Sequence, residues 1–158
     1  MTCITVETGE KLFISKEQQQ WAADDSKWNL IYNDFSSDIF EQATKIAVEY
    51  NDILLLENLM KSYPELHLYE NSGENWCQVM QNSSTKYNAI KILADYYGYT
   101  LKEIIAFGDD YNDVEMLREC EIGIAVSNAI KEAKTNADYI CESNEDDGVA
   151  KWIEERIL

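Results

Sequence analysis

Proline and histidine are scarce in this chain of 158 residues, which contains one proline, one histidine and six glycines. Chains with so little proline and glycine do not form long disordered linkers. The four cysteines lie far apart and form no C-x-x-C pair. A structural zinc site needs closely spaced cysteine and histidine ligands, so we do not expect one. Separated free thiols are typical of a reducing cytosol, and we expect a cytoplasmic protein.

Basic residues are also few, because 13 lysines and arginines face 30 acids and give a net charge of −17. The acids are spread over both halves of the chain. Nucleic acids and anionic membranes require a basic surface, so we expect neither as a partner. No apolar run reaches membrane-spanning length, and the start "MTCITVETGEKLF" lacks the features of a signal peptide. The length suits one domain, or a small domain with part of another.

Residues 83–158 alternate between helical and strand-like apolar patterns. The segment "STKYNAIKILADYYG" predicts a helix that Ser83 or Ser84 caps and Gly98 ends. Its predicted apolar face consists of Ala89, Ile90, Leu93, Ala94 and Tyr97. Helical segments separate three short apolar runs, "EIIAF", "IGIAV" and "DYICE", and a closing helix is predicted over residues 149–158. This alternation predicts a doubly wound parallel sheet.

Residues 1–82 have a different pattern, with strands that alternate in polarity. The runs "CITVET" and "KLFIS" predict a hairpin, and "KEQQQWAADD" predicts a polar helix. Three further strands are predicted in "TKIAVEY", "ELHLYE" and "NWCQVMQ", with a helix that Pro64 ends. Such strands are typical of a sheet with one solvated face. We expect an accessory α+β portion here, with a boundary near Asn82.

Three carboxylates are crowded into the stretch "IIAFGDDYNDVEML", residues 104–117. Asp109, Asp110 and Asp113 follow a buried strand, at the sheet edge where open α/β folds bind ligands. Crowded carboxylates repel each other unless a cation or protons lie among them, and oxygen ligands suit Mg²⁺. The spacing does not fit a calcium-binding EF-hand loop. An acidic helix start without any ligand is the alternative interpretation.

The same stretch resembles motif IV of the haloacid-dehalogenase-like (HAD) phosphatases. The following run, "GIAVSNAIKEAKTNADYICESNEDDGVAKWIEE", is similar to that of the Cof-type members, and "STKYNAIKIL" resembles the segment with the motif III lysine. The resemblance implies that residues 83–158 are the C-terminal part of a doubly wound, Rossmann-like α/β core. Residues 1–82 would be the latter part of a large α+β cap of C2 type.

The resemblance also implies roles for individual residues. Asp109 would bind Mg²⁺ directly, and Asp113 would hold the metal through water or through the lysine. Lys86 would be catalytic, neutralising the nucleophile and the phosphate, and Asn112 would contact the phosphate. The alternative for Lys86 is an ordinary lysine in the first turn of a helix. We expect Asn128 to cap the helix that follows it.

The family's catalysis uses an aspartate nucleophile that forms an aspartyl-phosphate, within a D-x-D motif. No aspartate in this sequence is followed by another two positions later. We therefore expect the nucleophile-bearing N-terminal part to be missing and the chain to be inactive alone on its small phosphorylated metabolite. The alternatives are a non-catalytic relic or binding module, and an acidic interaction domain with a chance match. The strand at 103–107 would form an open edge, which predicts a homodimer or pairing with the missing fragment.

Overall fold

A computed structural model describes residues 3–9, 11–15, 30–36, 42–71 and 73–158. The chain divides into two compact units, Met1–Asn82 and Ser83–Leu158. The polar helix expected over residues 16–25 lies outside the described residues. Within the described part of the chain, no helix has the length and apolar character needed to cross a bilayer.

The first unit is built on a mixed sheet of six described strands. The sheet order is β3-β2-β1-β4-β6-β5, and the β2–β3 pair is parallel while the other pairs are antiparallel. The strands are β1 (Ile4–Glu7), β2 (Leu12–Ile14), β3 (Leu30–Tyr32), β4 (Lys45–Glu49), β5 (Leu66–Glu70) and β6 (Trp76–Gln81). The predicted hairpin of β1 and β2 is confirmed, whereas β3 was not predicted from the sequence.

One face of this sheet carries an apolar cluster beside helix α1 (Ile53–Met60). Val48, Cys77 and Val79 form its buried centre, and Leu56 and Met60 of α1 pack against them. In β6 the buried residues alternate with partly exposed ones, because successive side chains of a strand point to opposite faces. Asp52 caps α1 by accepting a hydrogen bond from the N–H of Leu54 at 3.0 Å.

The second unit has a parallel sheet of three described strands in the order β7-β8-β9. Its strands are β7 (Ile105–Gly108), β8 (Ile122–Val126) and β9 (Tyr139–Cys141), and its helices are α2 (Lys86–Tyr97), α3 (Val114–Glu119), α4 (Lys131–Asn136) and α5 (Gly148–Arg156). The predicted alternation of strands and helices is confirmed. The fold class is α/β: the second unit has a Rossmann-like parallel sheet, and the first unit is an α+β portion.

Helices cover both faces of the parallel sheet. On one face α3 lies so close to β8 that a Cβ on Gly123 would be 1.9 Å from the carbonyl oxygen of Leu117. On the other face Trp152 of α5 makes an edge contact with Phe107, with ring centroids 5.5 Å apart. Because both faces are covered, β8 is buried almost continuously, with Ile124 and Ala125 fully buried. The sheet is therefore doubly wound.

Helix α2 corrects two of the sequence predictions. Thr85, rather than Ser83 or Ser84, is the N-cap, and its hydroxyl accepts a hydrogen bond from the N–H of Asn88 at 3.0 Å. Gly98 ends the helix in the left-handed conformation, as predicted. The predicted apolar face is only partly right: Ala94 is buried and Ile90 packs against the core, but Ala89, Leu93 and Tyr97 are exposed.

The inward face of α2 follows the spacing of Tyr87, Ile90 and Ala94, three or four residues apart. Because this helix has apolar residues around most of its circumference, periodicity alone allows more than one buried face. Packing against the rest of the unit decides between them. The exposed large side chains of α2 are Ile92, Leu93, Tyr96 and Tyr97.

Strand β7 lies at one edge of the parallel sheet, and among the described strands it pairs with β8 alone. It therefore presents backbone N–H and C=O groups on its outer side. Strands at such an edge can accept a further strand.

Candidate functional site

The loop after β7 begins at a glycine because Asp113 folds back against the chain at that point. A Cβ on Gly108 would be 2.4 Å from the Cβ and 2.9 Å from the Cγ of Asp113. Contacts shorter than 3 Å between such atoms do not occur in proteins, so any side chain on residue 108 would displace the carboxylate. Gly108 thus allows Asp113 to lie beneath the loop, where the residue as a whole is 1% exposed.

Both carboxylate oxygens of Asp113 are engaged. Oδ2 accepts hydrogen bonds from the backbone N–H groups of Asp109 at 2.9 Å and Asp110 at 3.2 Å. Oδ1 pairs with the ammonium group of Lys86, at 2.5 Å. A buried carboxylate is costly unless it is paired in this way, so Asp113 fixes the loop and binds it to the start of α2.

Lys86 is the first residue of α2, next to its N-cap Thr85. A cation at a helix N-terminus opposes the helix dipole, and Asp113 compensates for this unfavourable position. The lysine side chain is 50% exposed, whereas that of Asp113 is 2% exposed. The ammonium group is therefore held by its partner and still open to solvent, as a group that contacts a ligand must be.

The two aspartates at the ends of this loop differ in electrostatics. Burial alone would raise the pKa of Asp113, but hydrogen bonds from Lys86 and from two backbone N–H groups outweigh it and lower that pKa. Asp109 behaves in the opposite way: partial desolvation, the hydrogen bond with Asp113 and the negative charge of Asp113 raise its pKa, while Lys86 partly compensates. Asp109 therefore has the carboxylate that a bound cation would stabilise most.

The oxygen groups of this loop fit a magnesium ion in their chemistry. Asp109 is exposed, its backbone carbonyl is fixed by the N–H of Ile130 at 2.9 Å, and the loop offers oxygen rather than sulfur or nitrogen ligands. Mg²⁺ keeps several waters and needs only one or two carboxylates. In the described ranges no group of three or more histidine, cysteine or acidic side chains is placed to hold a metal, so protein ligands here are few.

Asp110 and Asn112 complete the loop. Asp110 accepts a hydrogen bond from the N–H of Tyr111 at 2.8 Å and opens a 3₁₀ turn, Tyr111–Asp113, which makes it a capping residue. Asn112 lies in that turn, and its Oδ1 is buried without a hydrogen-bond partner. The structure thus connects Lys86 through Asp113 to the loop that contains Asp109 and Asn112, and the roles that the resemblance implies for these residues stay predictions.

Asn128 does not cap α4, contrary to the expectation from the sequence. The N-cap position of α4 is Ile130, with no side-chain hydrogen bond. Asn128 instead donates through its Nδ2 to Oδ1 of Asn144 at 2.7 Å and accepts from the N–H of Asn144 at 3.4 Å. This pair connects the loops after β8 and β9. The helix begins two residues later than predicted, so the asparagine is too far from its first N–H groups.

Sequence reasoning did not assign the roles of Gly108 and Thr85, the residues that place Asp113 and Lys86. The signal for Gly108 is its position directly before the carboxylate run, where a side chain of the loop can fold back against the backbone. The signal for Thr85 is a hydroxyl three residues before Asn88, which matches capping geometry as well as Ser84 does.

The family model for haloacid dehalogenase-like hydrolases matches residues 2–153 of the chain. A Bacillus subtilis protein named as a 5-amino-6-(5-phospho-D-ribitylamino)uracil phosphatase is 35% identical over 113 residues, which cover 70% of this chain and 45% of that protein. The chain thus spans about half the length of this curated relative.

Solved structures share the fold of this chain. A haloacid dehalogenase-like hydrolase from Bacteroides thetaiotaomicron superposes with a TM-score of 0.79 at 25% identity, over 98% of this chain and 60% of the other. A second, from B. subtilis, gives a TM-score of 0.81 at 22% identity, over 99% and 66%. The family model covers nearly the whole sequence, so the chain belongs to the haloacid dehalogenase-like hydrolase family.

Proposed function

We propose that this chain carries the cation-binding and phosphoryl-binding part of a Mg²⁺-dependent phosphohydrolase that acts on small phosphorylated metabolites. The observation that carries the proposal is the chain of contacts from Lys86 to the buried Asp113 and on to the backbone of Asp109. It connects a positive group at the start of α2 with the loop that carries an exposed carboxylate. A phosphoryl group with a divalent cation is the ligand that such a pair complements.

Each residue has a defined task in this proposal. Asp113 orients the lysine and the loop, and Lys86 contributes a positive charge to the phosphoryl oxygens. Asp109 supplies a carboxylate oxygen for Mg²⁺, which when bound would stabilise negative charge on the phosphoryl group. Asn112 offers an amide beside the same ligand. Lys86 is accessible enough to act in this way because half of its side chain is exposed.

The substrate class follows from the family and from a named relative. The B. subtilis relative is named for the dephosphorylation of a small phosphorylated metabolite, and we propose a substrate of that general class. Residues 1–82 would be part of a cap over the substrate, and residues 83–158 part of the catalytic core. The free, buried cysteines in both units support a cytoplasmic location.

Hydrolysis needs a nucleophile that these 158 residues do not provide, since no D-x-D motif is present. We therefore expect the purified chain to bind Mg²⁺ and phosphate without turnover. An assay with an aryl phosphate and Mg²⁺ tests this point. Turnover that disappears in the Asp109→Ala variant would mean that a residue of this chain acts as nucleophile, and would contradict the proposal of inactivity.

A binding module on the same scaffold is the second candidate, and the absence of D-x-D favours it. Phosphate binding distinguishes it from a relic. Calorimetric titration with inorganic phosphate in the presence of Mg²⁺ should give heat that disappears in the Lys86→Met variant. The matched control is Lys102→Met, since Lys102 is an exposed lysine of the same unit that pairs with Glu121 rather than with a residue of the loop. Equal heats from both variants would contradict a role for Lys86 in phosphate binding.

The outer edge of β7 supports a proposal about partners, either a second copy or a fragment that carries the nucleophile. Edge strands without lysine or proline pair readily with other strands, and β7 has neither. The net charge of −17 opposes large aggregates. Light scattering at two salt concentrations should show a small, closed assembly, and a strict monomer at both would contradict self-association.

A further inference from the structure

A pocket of about 600 Å³ opens in the second unit where β8 and β9 end. Ser127 directly follows β8 and Glu142 directly follows β9, and both line the pocket together with Lys151 of α5. Ligands of open α/β folds bind beyond the carboxyl ends of the strands, and small-molecule sites have volumes of about 300–1,000 Å³. The position and the size of this pocket therefore suit a small molecule.

Hydrogen bonds and close packing hold the backbone around this pocket in place. The carbonyl oxygen of Ser143 accepts hydrogen bonds from the N–H groups of Asp146 at 3.0 Å and Gly148 at 2.9 Å. A Cβ on Gly148 would be 2.0 Å from the carbonyl oxygen of Glu142, so α5 starts directly against the loop after β9. The asparagine pair described above connects this loop with the loop after β8. Walls that are fixed before a ligand arrives reduce the entropy cost of binding.

The charged groups that line the pocket are mainly acceptors of hydrogen bonds. Two carboxylates, of Glu142 and Asp146, accompany a single ammonium group, that of Lys151. Lys151 pairs with Oε2 of Glu142 at 2.5 Å, and this hydrogen bond, followed by the negative charges of Glu142, Asp146 and Asp147, raises the pKa of Lys151. Asp146 is exposed, and among the described residues its carboxylate makes no hydrogen bond or ion pair. The pocket thus has one carboxylate in excess, and it is accessible.

These groups disfavour anions and suit an amine that also carries hydroxyl groups. A phosphate or a carboxylate would bring more acceptors to Glu142 and Asp146, whereas an ammonium group donates charge-assisted hydrogen bonds to them. Ser127 and Ser143 add hydroxyls to the lining. Oγ of Ser143 accepts from the N–H of Glu145 at 3.1 Å, which leaves its proton for a ligand oxygen. In the described ranges no group of three or more histidine, cysteine or acidic side chains could hold a metal ion here instead.

We propose that this pocket binds a small hydroxylated amine, such as an amino polyol or an amino sugar, whose ammonium group pairs with Asp146 and whose hydroxyls bond to Ser127 and Ser143. The inference goes beyond the proposed function and does not require it. The pocket residues follow β8 and β9, whereas the candidate cation site follows β7, so the two sites can fail separately.

Calorimetric titration of the unmodified chain with glucamine, an amino polyol, tests the inference. The heat should saturate. The matched ligand is sorbitol, which has a hydroxyl group in place of the amine. Sorbitol should bind at least about fivefold more weakly, because it cannot form the charge-assisted hydrogen bond with Asp146.

Two neighbouring aspartates supply the variants. Asp146→Asn removes the charge that we assign to the ligand, and glucamine should bind at least about fivefold more weakly. The control is Asp147→Asn, because Asp147 also acts on Lys151 through its charge but does not line the pocket. Its backbone is left-handed, with φ at 56°, which asparagine tolerates. Salt screens an exposed charge that makes no contact with the ligand, so the affinity should change by less than about twofold.

Each outcome decides the inference. A glucamine titration without saturable heat would overturn it, and so would equal affinities for glucamine and sorbitol. Equal weakening in Asp146→Asn and Asp147→Asn would overturn it as well, because the ligand would then respond to the acidic surface rather than to the pocket. Asp146→Asn should bind Mg²⁺ as the unmodified chain does. A changed Mg²⁺ affinity would contradict the separation of this pocket from the cation site.

Discussion

The two units of this protein bury their sheets in different ways. In the first unit, β6 alternates buried and partly exposed residues, and most strand pairs are antiparallel. In the second unit, helices pack on both faces of a parallel sheet, and β8 is buried along nearly its whole length. A sheet covered on both faces leaves the ends of its strands for chemistry, and the loop from Asp109 to Asp113 lies at such an end. The comparison teaches that the candidate site lies where helices cover both faces of a sheet and leave only the strand ends free.

The variant with the largest expected effect on stability tests the close packing of α3 on β8 in the second unit. Gly123→Ala would place a Cβ 1.9 Å from the backbone carbonyl oxygen of Leu117, which no side-chain rotation can relieve. We expect the free energy of unfolding of the second unit to fall by about 3 kcal/mol or more, measured by urea denaturation. The control is Gly9→Ala in the first unit, where a Cβ meets no atom within 4 Å. A loss below about 1 kcal/mol for Gly123→Ala would contradict the close packing of α3 on β8.

A smaller effect compares the ion pairs of the two units. Asp113→Asn weakens the pair between the buried carboxylate and Lys86, and we expect a loss of about 2–3 kcal/mol at pH 7. Glu7→Gln breaks the ion pair between Glu7 and Lys45, whose side chains are 41% and 32% exposed, respectively. This change should lower the free energy of unfolding by less than about 1 kcal/mol. Similar losses of unfolding free energy in Asp113→Asn and Glu7→Gln would contradict the conclusion that burial makes the Asp113–Lys86 pair the more important one.

The lowered pKa of Asp113 also predicts how the stability loss in Asp113→Asn depends on pH. The pKa of Asp113 is lower in the folded chain than in the unfolded chain. The ionised carboxylate therefore stabilises the fold fully at a pH above its pKa in the unfolded chain, about 3.9. This stabilisation is lost as the pH falls through the pKa of the folded chain. The stability difference between the unmodified chain and Asp113→Asn should therefore be constant near neutral pH and decrease below about pH 4. A difference that grows on acidification would contradict the lowered pKa.

The smallest effect concerns the helix caps, one in each unit. Thr85→Ala and Asp52→Ala should each reduce the free energy of unfolding by about 1 kcal/mol, because each removes an acceptor for an N–H group of the first turn. Ser83→Ala and Ser84→Ala are the matched controls and should change little. A larger loss from either serine than from Thr85 would contradict the cap seen in the structure.

The sequence predicted the elements of the second unit better than their contacts. The strands and helices after residue 83 were identified because buried strands and amphipathic helices have distinct periods. The predicted inward face of α2 was only partly right, since Leu93 and Tyr97 are large and mainly apolar like Ile90, and periodicity does not say which residues meet the core. Strand β3 was missed because its three residues are too few to show alternation and, unlike the equally short β2, it has no hairpin partner next to it along the chain.

The candidate site, too, was predicted only in part from the sequence. The crowding of Asp109, Asp110 and Asp113 was visible in the sequence, and it indicated a cation. The different roles of the three aspartates were not visible in the sequence. They depend on the contact between Asp113 Oδ1 and Lys86, and on the space that Gly108 leaves because it has no side chain. They also depend on the turn that Asp110 caps. Asn128 was assigned to a helix cap because its partner, Asn144, is 16 residues away along the chain.

Titration of the chain with Mg²⁺ tests the central claim most directly, with the unmodified chain compared with Asp109→Asn by calorimetry. The account predicts weak binding to the unmodified chain, since few protein ligands are present, and no measurable binding to the variant. Asp109→Asn should fold at least as stably as the unmodified chain, because it removes a carboxylate that Asp113 repels. Tight binding, or binding that Asp109→Asn leaves unchanged, would contradict the assignment of this loop as the cation site.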